Sequence, residues 1–218
     1  FMWGQYDDPG TMAIGEVLAD DTPLLAEIGL NGMISDQTQR VFMPSGLPMA
    51  VLAQELWNRD LDFEACADDY FTSAFGPDGP KCRVYLEEIS EGFSTQWLST
   101  YVPDGDAPVP AGLVPGLQEV RRQIDAFRPV IERNRGLSNR VQARSWEYLG
   151  YHADLCLALS RSIEAELTGQ EEDARPHWQE LEAMAIEQEA DTNPVFDTFL
   201  FLLSMRRKFR GLQRIGME

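Results

Sequence analysis

The chain has 218 residues with 18 basic and 36 acidic side chains, a formal net charge of −18 at pH 7. This balance argues against nucleic acid and anionic membranes as partners, because phosphate groups are bound through clustered Lys and Arg. Apolar residues make up 44% of the chain, enough for one large core or two small ones.

The first predicted element is a buried strand over residues 1–6, followed by the turn signal Asp7-Asp8-Pro9-Gly10. A short helix is expected from Thr22 to Ile28, since Thr22 suits a cap and Pro23 suits the first helical position. A second strand is predicted over residues 30–36. Two strands do not make a self-sufficient sheet, so we expect this part to be the end of an α/β domain whose other strands lie elsewhere.

Helical spacing of apolar residues predicts three helices between residues 47 and 101, one of them capped by Asp62 and ended by Gly76. Residues 102–115 contain four prolines and show no periodicity, which is typical of a linker. Four further helices with short polar connections favour an antiparallel bundle. We therefore predict a mainly α fold: a β/α piece with its following helices over 1–101, the linker over 102–115, and a helical bundle over 116–218.

Polar side chains follow both predicted strands. In a β/α barrel the catalytic groups gather at the C-terminal ends of strands, and glycoside hydrolysis typically uses two carboxyl groups. We therefore interpret Asp7 and Asp36 as candidate catalytic carboxyls. Aromatic rings offer apolar area to a sugar, and short polar side chains offer hydrogen bonds. The candidate substrate-binding residues are Trp3, Tyr6, Asp8 and Gln37.

A structural role is the alternative for these aspartates. Asp-Asp-Pro-Gly is also an ordinary turn, in which Asp is favoured because its side chain bonds to the local backbone. Asp36 is open to the same interpretation. Glu16 is a further carboxylate expected near the turn, and it is as readily a solvated surface charge. Both interpretations of the two strand ends therefore stay open at the level of sequence.

The other chemistry-bearing side chains favour structural roles. His152 lies four residues from Cys156 on a predicted helix, where a histidine is more often a hydrogen-bonded packing residue. Cys66, Cys82 and Cys156 are too scattered for a disulfide framework and are expected to pack as small hydrophobes. No metal-ligand spacing or Gly-rich phosphate loop occurs in the sequence, so we expect neither metal nor cofactor.

One basic cluster, Arg206-Arg207-Lys208-Arg210, lies near the end of the last predicted helix. Cations there complement the helix dipole, and pairing with acidic neighbours such as Glu180 or Glu182 is expected. A charge-balanced helix end is therefore favoured over an anion site.

The segment Leu56-Trp57-Asn58-Arg59-Asp60-Leu61-Asp62, followed by Asp69-Tyr70-Phe71 and Phe75-Gly76, resembles a bacterial glycoside-hydrolase-like family of unknown function related to α-glucuronidases. Members of that family look like β/α barrels that end in a "Leu-Leu-Trp-Asn-Pro-Asp" helix and an acidic-aromatic helix finishing in "Tyr-Gly". Residues 28–32 match the approach to its last barrel strand. The resemblance covers residues 1–95, with Arg59 in place of the usual proline and Phe75 in place of the usual tyrosine.

This resemblance implies a carbohydrate-active protein, of which the chain would be the C-terminal portion. The implied partners are carbohydrate and either another copy of the chain or the remaining part of the barrel. A general acid carried by the other strands would then lie outside this chain. The alternative is a non-catalytic helical module for binding or oligomerisation.

Overall fold

The computed structural model describes residues 6–34, 40–101, 108–169 and 171–210, without the side chains of residues 171 and 172. The predicted mainly helical fold is confirmed. The α-helices in these ranges are Met12–Leu24 (α1), Leu47–Trp57 (α2), Phe63–Phe75 (α3), Gly79–Phe93 (α4), Thr95–Thr100 (α5), Leu113–Asn134 (α6), Arg140–Thr168 (α7), Glu171–Glu187 (α8), Glu189–Thr192 (α9) and Thr198–Lys208 (α10). A 3₁₀ turn, Gly76–Asp78, joins α3 to α4.

The predicted barrel end is not found in the described residues. Residues 30–34 form an irregular segment and not a strand, and residues 1–5 lie outside the described ranges. The β contact in the part of the chain that is described is an isolated antiparallel bridge between Val41 and Phe196. A strand needs neighbours for its backbone groups, and no described residue forms a β ladder or bridge with residues 30–34.

The first helix lies upstream of its predicted position. Helix α1 begins at Met12, with Pro23 in its last turn, and the following turns end at Gly29 with a φ of 83°. Met12, Leu18 and Thr22 are buried along one face. The Thr22-Pro23 pair was predicted to begin a helix but lies at the end of one. The helix forms over the residues before Thr22 because their buried face packs against the rest of the protein.

The predicted boundaries of α3 are confirmed. The Asp62 side chain accepts a hydrogen bond from the Ala65 backbone N–H at 3.2 Å, which caps the helix. Gly76 follows the helix with a φ of 74°, a conformation that favours glycine. Nearby, Asp78 accepts hydrogen bonds from Lys81, Arg133 and Asn134, and these donors hold the pKa of Asp78 well below its usual range.

One continuous core extends across the predicted linker. Helix α4 packs against α3 and α6. Helix α7 packs against the same two helices and also against α8. The Trp146 indole N–H donates to the Phe75 carbonyl at 2.8 Å, and the Tyr85 ring stacks on Phe127 with ring centroids 4.4 Å apart. These contacts join residues 63–93 to residues 113–168, while the division into two domains stays a prediction.

The helices α4 and α6 cross at close range through two glycines. A Cβ added at Gly116 would lie 2.8 Å from the Gly92 carbonyl oxygen, so no side chain fits there without separating the helices. Nothing lies within 4 Å of a Cβ added at Gly112, one turn earlier. Across the described ranges, no helix has both the length and the apolar character needed to cross a membrane.

Candidate functional site

The segment from Tyr6 to Thr11 lies in the interior of the molecule. All six of its residues are buried, although Asp7, Asp8 and Thr11 are polar or charged. A Cβ added at Gly10 would lie 2.1 Å from the Leu86 carbonyl oxygen, which shows how closely the segment approaches α4. We call residues 6–11 the buried turn. Its carboxylates must be satisfied by the protein, because a buried charge without partners is costly.

Asp8 is the most enclosed of these carboxylates. Its side chain accepts hydrogen bonds from the Ser90 hydroxyl at 2.5 Å, the Thr95 hydroxyl at 3.1 Å and the Ile14 backbone N–H at 2.8 Å. Burial raises the pKa of Asp8, and these hydrogen bonds act in the opposite direction. The side chain thus joins the beginning of α1 to the end of α4.

Asp7 is paired with a lysine at the end of α10. The Lys208 ammonium lies 2.9 Å from an Asp7 carboxylate oxygen and donates to the Leu98 carbonyl at 2.5 Å. Burial raises the pKa of Asp7, whereas Lys208 lowers it. The predicted pairing of the basic cluster is found as well, since Arg206 forms an ion pair with Glu182.

Tyr6 packs among aromatic rings at the beginning of α10. Its ring makes edge contacts with Phe196 and Phe201, and its hydroxyl donates to the Asp197 carbonyl at 3.4 Å. Asp197 caps α10 through the Leu200 N–H at 2.9 Å and pairs with Arg40. Burial raises the pKa of Tyr6, which keeps the hydroxyl protonated.

His152 and Cys156 close the buried turn from the side of α7. The imidazole Nε2 donates to the Pro9 carbonyl at 2.7 Å, and the Cys156 thiol lies 3.2 Å from the same nitrogen. Burial lowers the pKa of His152 to about 4 and raises the pKa of Cys156. Both groups are therefore neutral near pH 7, and the packing role predicted for them is consistent with this geometry.

A small cavity lies between these side chains. Its volume is about 30 Å³, and Tyr6, Asp8, Arg40, His152 and Phe196 are among its lining residues. A water molecule needs about 10 to 15 Å³ measured in this way, so the cavity has room for water and not for a sugar ring.

The remaining candidate residues cannot be related to this cavity. Trp3, Asp36 and Gln37 lie outside the described residues. Tyr6, Asp7 and Asp8 lie together, but each is engaged by the surrounding helices and not directed at an open cleft. Their assignment to catalysis or substrate binding stays a prediction.

A second site, which the sequence reasoning missed, lies between α1 and α2. We call it the Glu55 groove; its volume is about 200 Å³, and its lining residues are Thr22, Leu25, Ala26, Leu30, Asn31, Gly32, Met33, Glu55, Leu56 and Arg59. Glu55 is only 3% exposed, and its Oε2 has no hydrogen-bond partner among the described residues. Burial and the negative charge of Asp60 raise the pKa of Glu55.

Large apolar side chains beside this groove are open to solvent. Trp57 is 93% exposed and Ile34 is 99% exposed, and each directly follows a lining residue of the groove. We call Ile34 and Trp57 the exposed apolar pair. The sequence does contain a signal for this exposure, namely the position of Trp57 in α2. Trp57 lies six residues after the buried Val51 and five after the buried Leu52, so it is not on their face of the helix.

Comparison with known proteins identifies no relative: no protein-family model, curated protein or solved structure matches this chain. Part of the segment over residues 56–76, on which the predicted resemblance rests, has a clear architectural role. Asp62 caps α3, and the Tyr70 hydroxyl accepts a hydrogen bond from the Gly46 N–H at 2.6 Å. Trp57, from the same segment, has no such role because it lies in solvent.

Proposed function

We propose that the chain is a helical interaction module of a carbohydrate-active protein and that it packs against another protein segment through the Glu55 groove. The observation that carries this proposal is the exposed apolar pair beside a groove in which large apolar side chains lie among polar ones. Apolar surface of this kind on a folded protein is typical of an interaction site. The carbohydrate context rests on the resemblance over residues 1–95.

Two features of the buried turn favour a module over a catalytic centre in this chain. Asp8 is occupied by three donors from the fold, and Asp7 is paired with Lys208. A glycosidase needs its two carboxyl groups on either side of a bound sugar, whereas the nearby cavity has a volume of about 30 Å³.

The test is selection of random displayed peptides on the full chain, repeated on two variants. We expect peptides whose binding is lost in Ile34→Ser/Trp57→Ser and kept in Phe199→Ser, because Phe199 is also exposed but lies on α10. Recovery of no peptide that depends on the exposed apolar pair would contradict the proposal.

Glycoside hydrolysis is a second candidate function, favoured by one observation. Burial raises the pKa of Asp7, as a general acid requires. A sugar-release assay on the wild type, Asp7→Asn and Asp36→Asn tests it. Loss of activity in both variants would support catalysis, and full retention in both would remove the two residues from the mechanism.

A further inference from the structure

The Glu55 groove combines apolar walls with a carboxylate that lacks a partner. Leu25, Leu30, Met33 and Leu56 line it, and Glu55 Oε2 has no hydrogen bond among the described residues. Buried carboxylates are normally hydrogen-bonded or paired, since an isolated buried charge is strongly unfavourable. Among the described residues, the donors that line the groove on Thr22, Asn31 and Arg59 form no hydrogen bond with Glu55 Oε2.

The cationic side chain that lines the groove does not supply this donor. Arg59 lines the same groove, but its side chain is exposed and no ion pair joins it to Glu55 in the structure. Asp60 adds a second negative charge close to Glu55, as its effect on the pKa of Glu55 indicates. Two carboxylates, Glu55 and Asp60, thus lie near one guanidinium, Arg59, at this groove.

Charge also decides between the occupants that a groove of this kind could take. Two copies of this chain would each carry a formal charge of −18, so long-range repulsion disfavours a second copy. Thr22, Asn31 and Arg59 also line the groove, so a sugar is the competing occupant, and binding of methyl β-glucoside tests it. Lysine and arginine match the groove better, because each has an apolar stem and a cationic head.

We infer that the Glu55 groove takes a Lys or Arg side chain of a partner protein, with its stem against the leucines and its cationic head paired with Glu55. This inference rests on the proposed function, since it names the chemistry of the partner that the module binds. Ile34 and Trp57 would then contact apolar residues on either side of that cation. An Arg head has the advantage of binding a carboxylate through two parallel hydrogen bonds.

The experiment uses small probes and the full chain. Binding of n-butylguanidinium, of its neutral counterpart n-butylurea and of methyl β-glucoside is followed by NMR shifts of the amides of residues 22–34 and 55–59. We expect n-butylguanidinium to bind the wild type and to bind Glu55→Gln about tenfold more weakly, since a neutral amide replaces the charged acceptor. Glu27→Gln is the matched control, because Glu27 is an exposed carboxylate in the turns after α1 and is not a lining residue of the groove.

Three results would overturn the inference. Equal binding of n-butylguanidinium and n-butylurea, unchanged in Glu55→Gln, would mean a purely apolar groove and would leave the proposed function intact. Preference for methyl β-glucoside would mean a sugar subsite. Binding that emerges only in Arg59→Gln would mean that Arg59 already neutralises Glu55 in solution. Thermal unfolding by circular dichroism verifies that each variant is folded.

The small-probe titration and the peptide selection together separate this inference from the proposed function. Glu55-dependent binding of n-butylguanidinium, together with no peptide that depends on Ile34 and Trp57, would leave a cation site and contradict the interaction module. Peptides that depend on Ile34 and Trp57 but carry no Lys or Arg would contradict the cation and support the module.

Discussion

At the scale of single residues, the polar groups of the buried turn hold the fold together. Asp8 accepts from three donors, Asp7 pairs with Lys208, and His152 donates to the Pro9 carbonyl. All of these contacts except the one from the Ile14 N–H span more than 80 residues of sequence. Burial gives such a residue a different pKa in the folded and the unfolded chain. The free energy of unfolding therefore depends on pH, which can be measured.

His152 carries the clearest of these pH effects. Its pKa is about 4 in the fold against 6.5 for the free side chain, so the neutral imidazole is favoured by folding. This contribution is complete above pH 6.5 and is lost as the pH falls towards 4, by up to about 3 kcal/mol. In urea denaturation between pH 7.5 and 4.5, His152→Gln should lose less stability than the wild type. Parallel curves for the two proteins would contradict this prediction.

At the scale of elements, close helix crossings position the buried turn. Helix α4 supplies Ser90 to Asp8 on one side and contacts α6 through Gly92 and Gly116 on another. The glycines allow two backbones to approach within the distance at which any side chain would clash. Displacing α4 from α6 should therefore disturb packing on both sides of α4.

Gly116→Ala tests this crossing. Its Cβ would lie 2.8 Å from the Gly92 carbonyl oxygen, a backbone atom that moves only with the helix. We expect a loss of about 1 to 3 kcal/mol in the free energy of unfolding, after the small gain in helix propensity. Gly112→Ala is the control, because nothing lies within 4 Å of its Cβ. Equal unfolding free energies for the two variants would show that the helices separate at little cost.

At the scale of the whole molecule, the helices on both sides of residues 102–115 share a core. Phe75 contacts Trp146 across 71 residues of sequence, through a hydrogen bond and an edge contact between the rings at 5.3 Å. A core that is continuous across a linker favours one cooperative unfolding transition. Two independent domains would instead unfold separately.

Trp146→Phe distinguishes these outcomes. The substitution removes the donor to the Phe75 carbonyl and part of a fully buried side chain, which should cost about 2 to 4 kcal/mol. Hydrogen exchange measured by mass spectrometry should show reduced protection over residues 63–93 as well as over residues 140–168. Reduced protection confined to residues 140–168 would contradict a shared core and favour the two predicted domains.

The predictions that succeeded from sequence concern local interactions. The Asp62 cap, the end of α3 at Gly76 and the burial of the three cysteines follow from side chains a few residues apart. The predicted strand over 30–36 is wrong for its described residues, since strand formation depends on a neighbouring strand that the local pattern cannot reveal. The burial of Asp7 and Asp8 could not be predicted from local patterns either, because the helices that cover them are distant in sequence.

The sequence by itself determined where most helices form, because apolar spacing and capping act within one or two turns. The apolar face of α4, with Leu86, Ile89 and Phe93, is readable in this way. Only the tertiary structure decided that the carboxylates of the buried turn became interior links, while Trp57 came to lie in solvent beside Glu55. Burial depends on which distant segments fill the space around a side chain, and that information belongs to the packing of the whole chain.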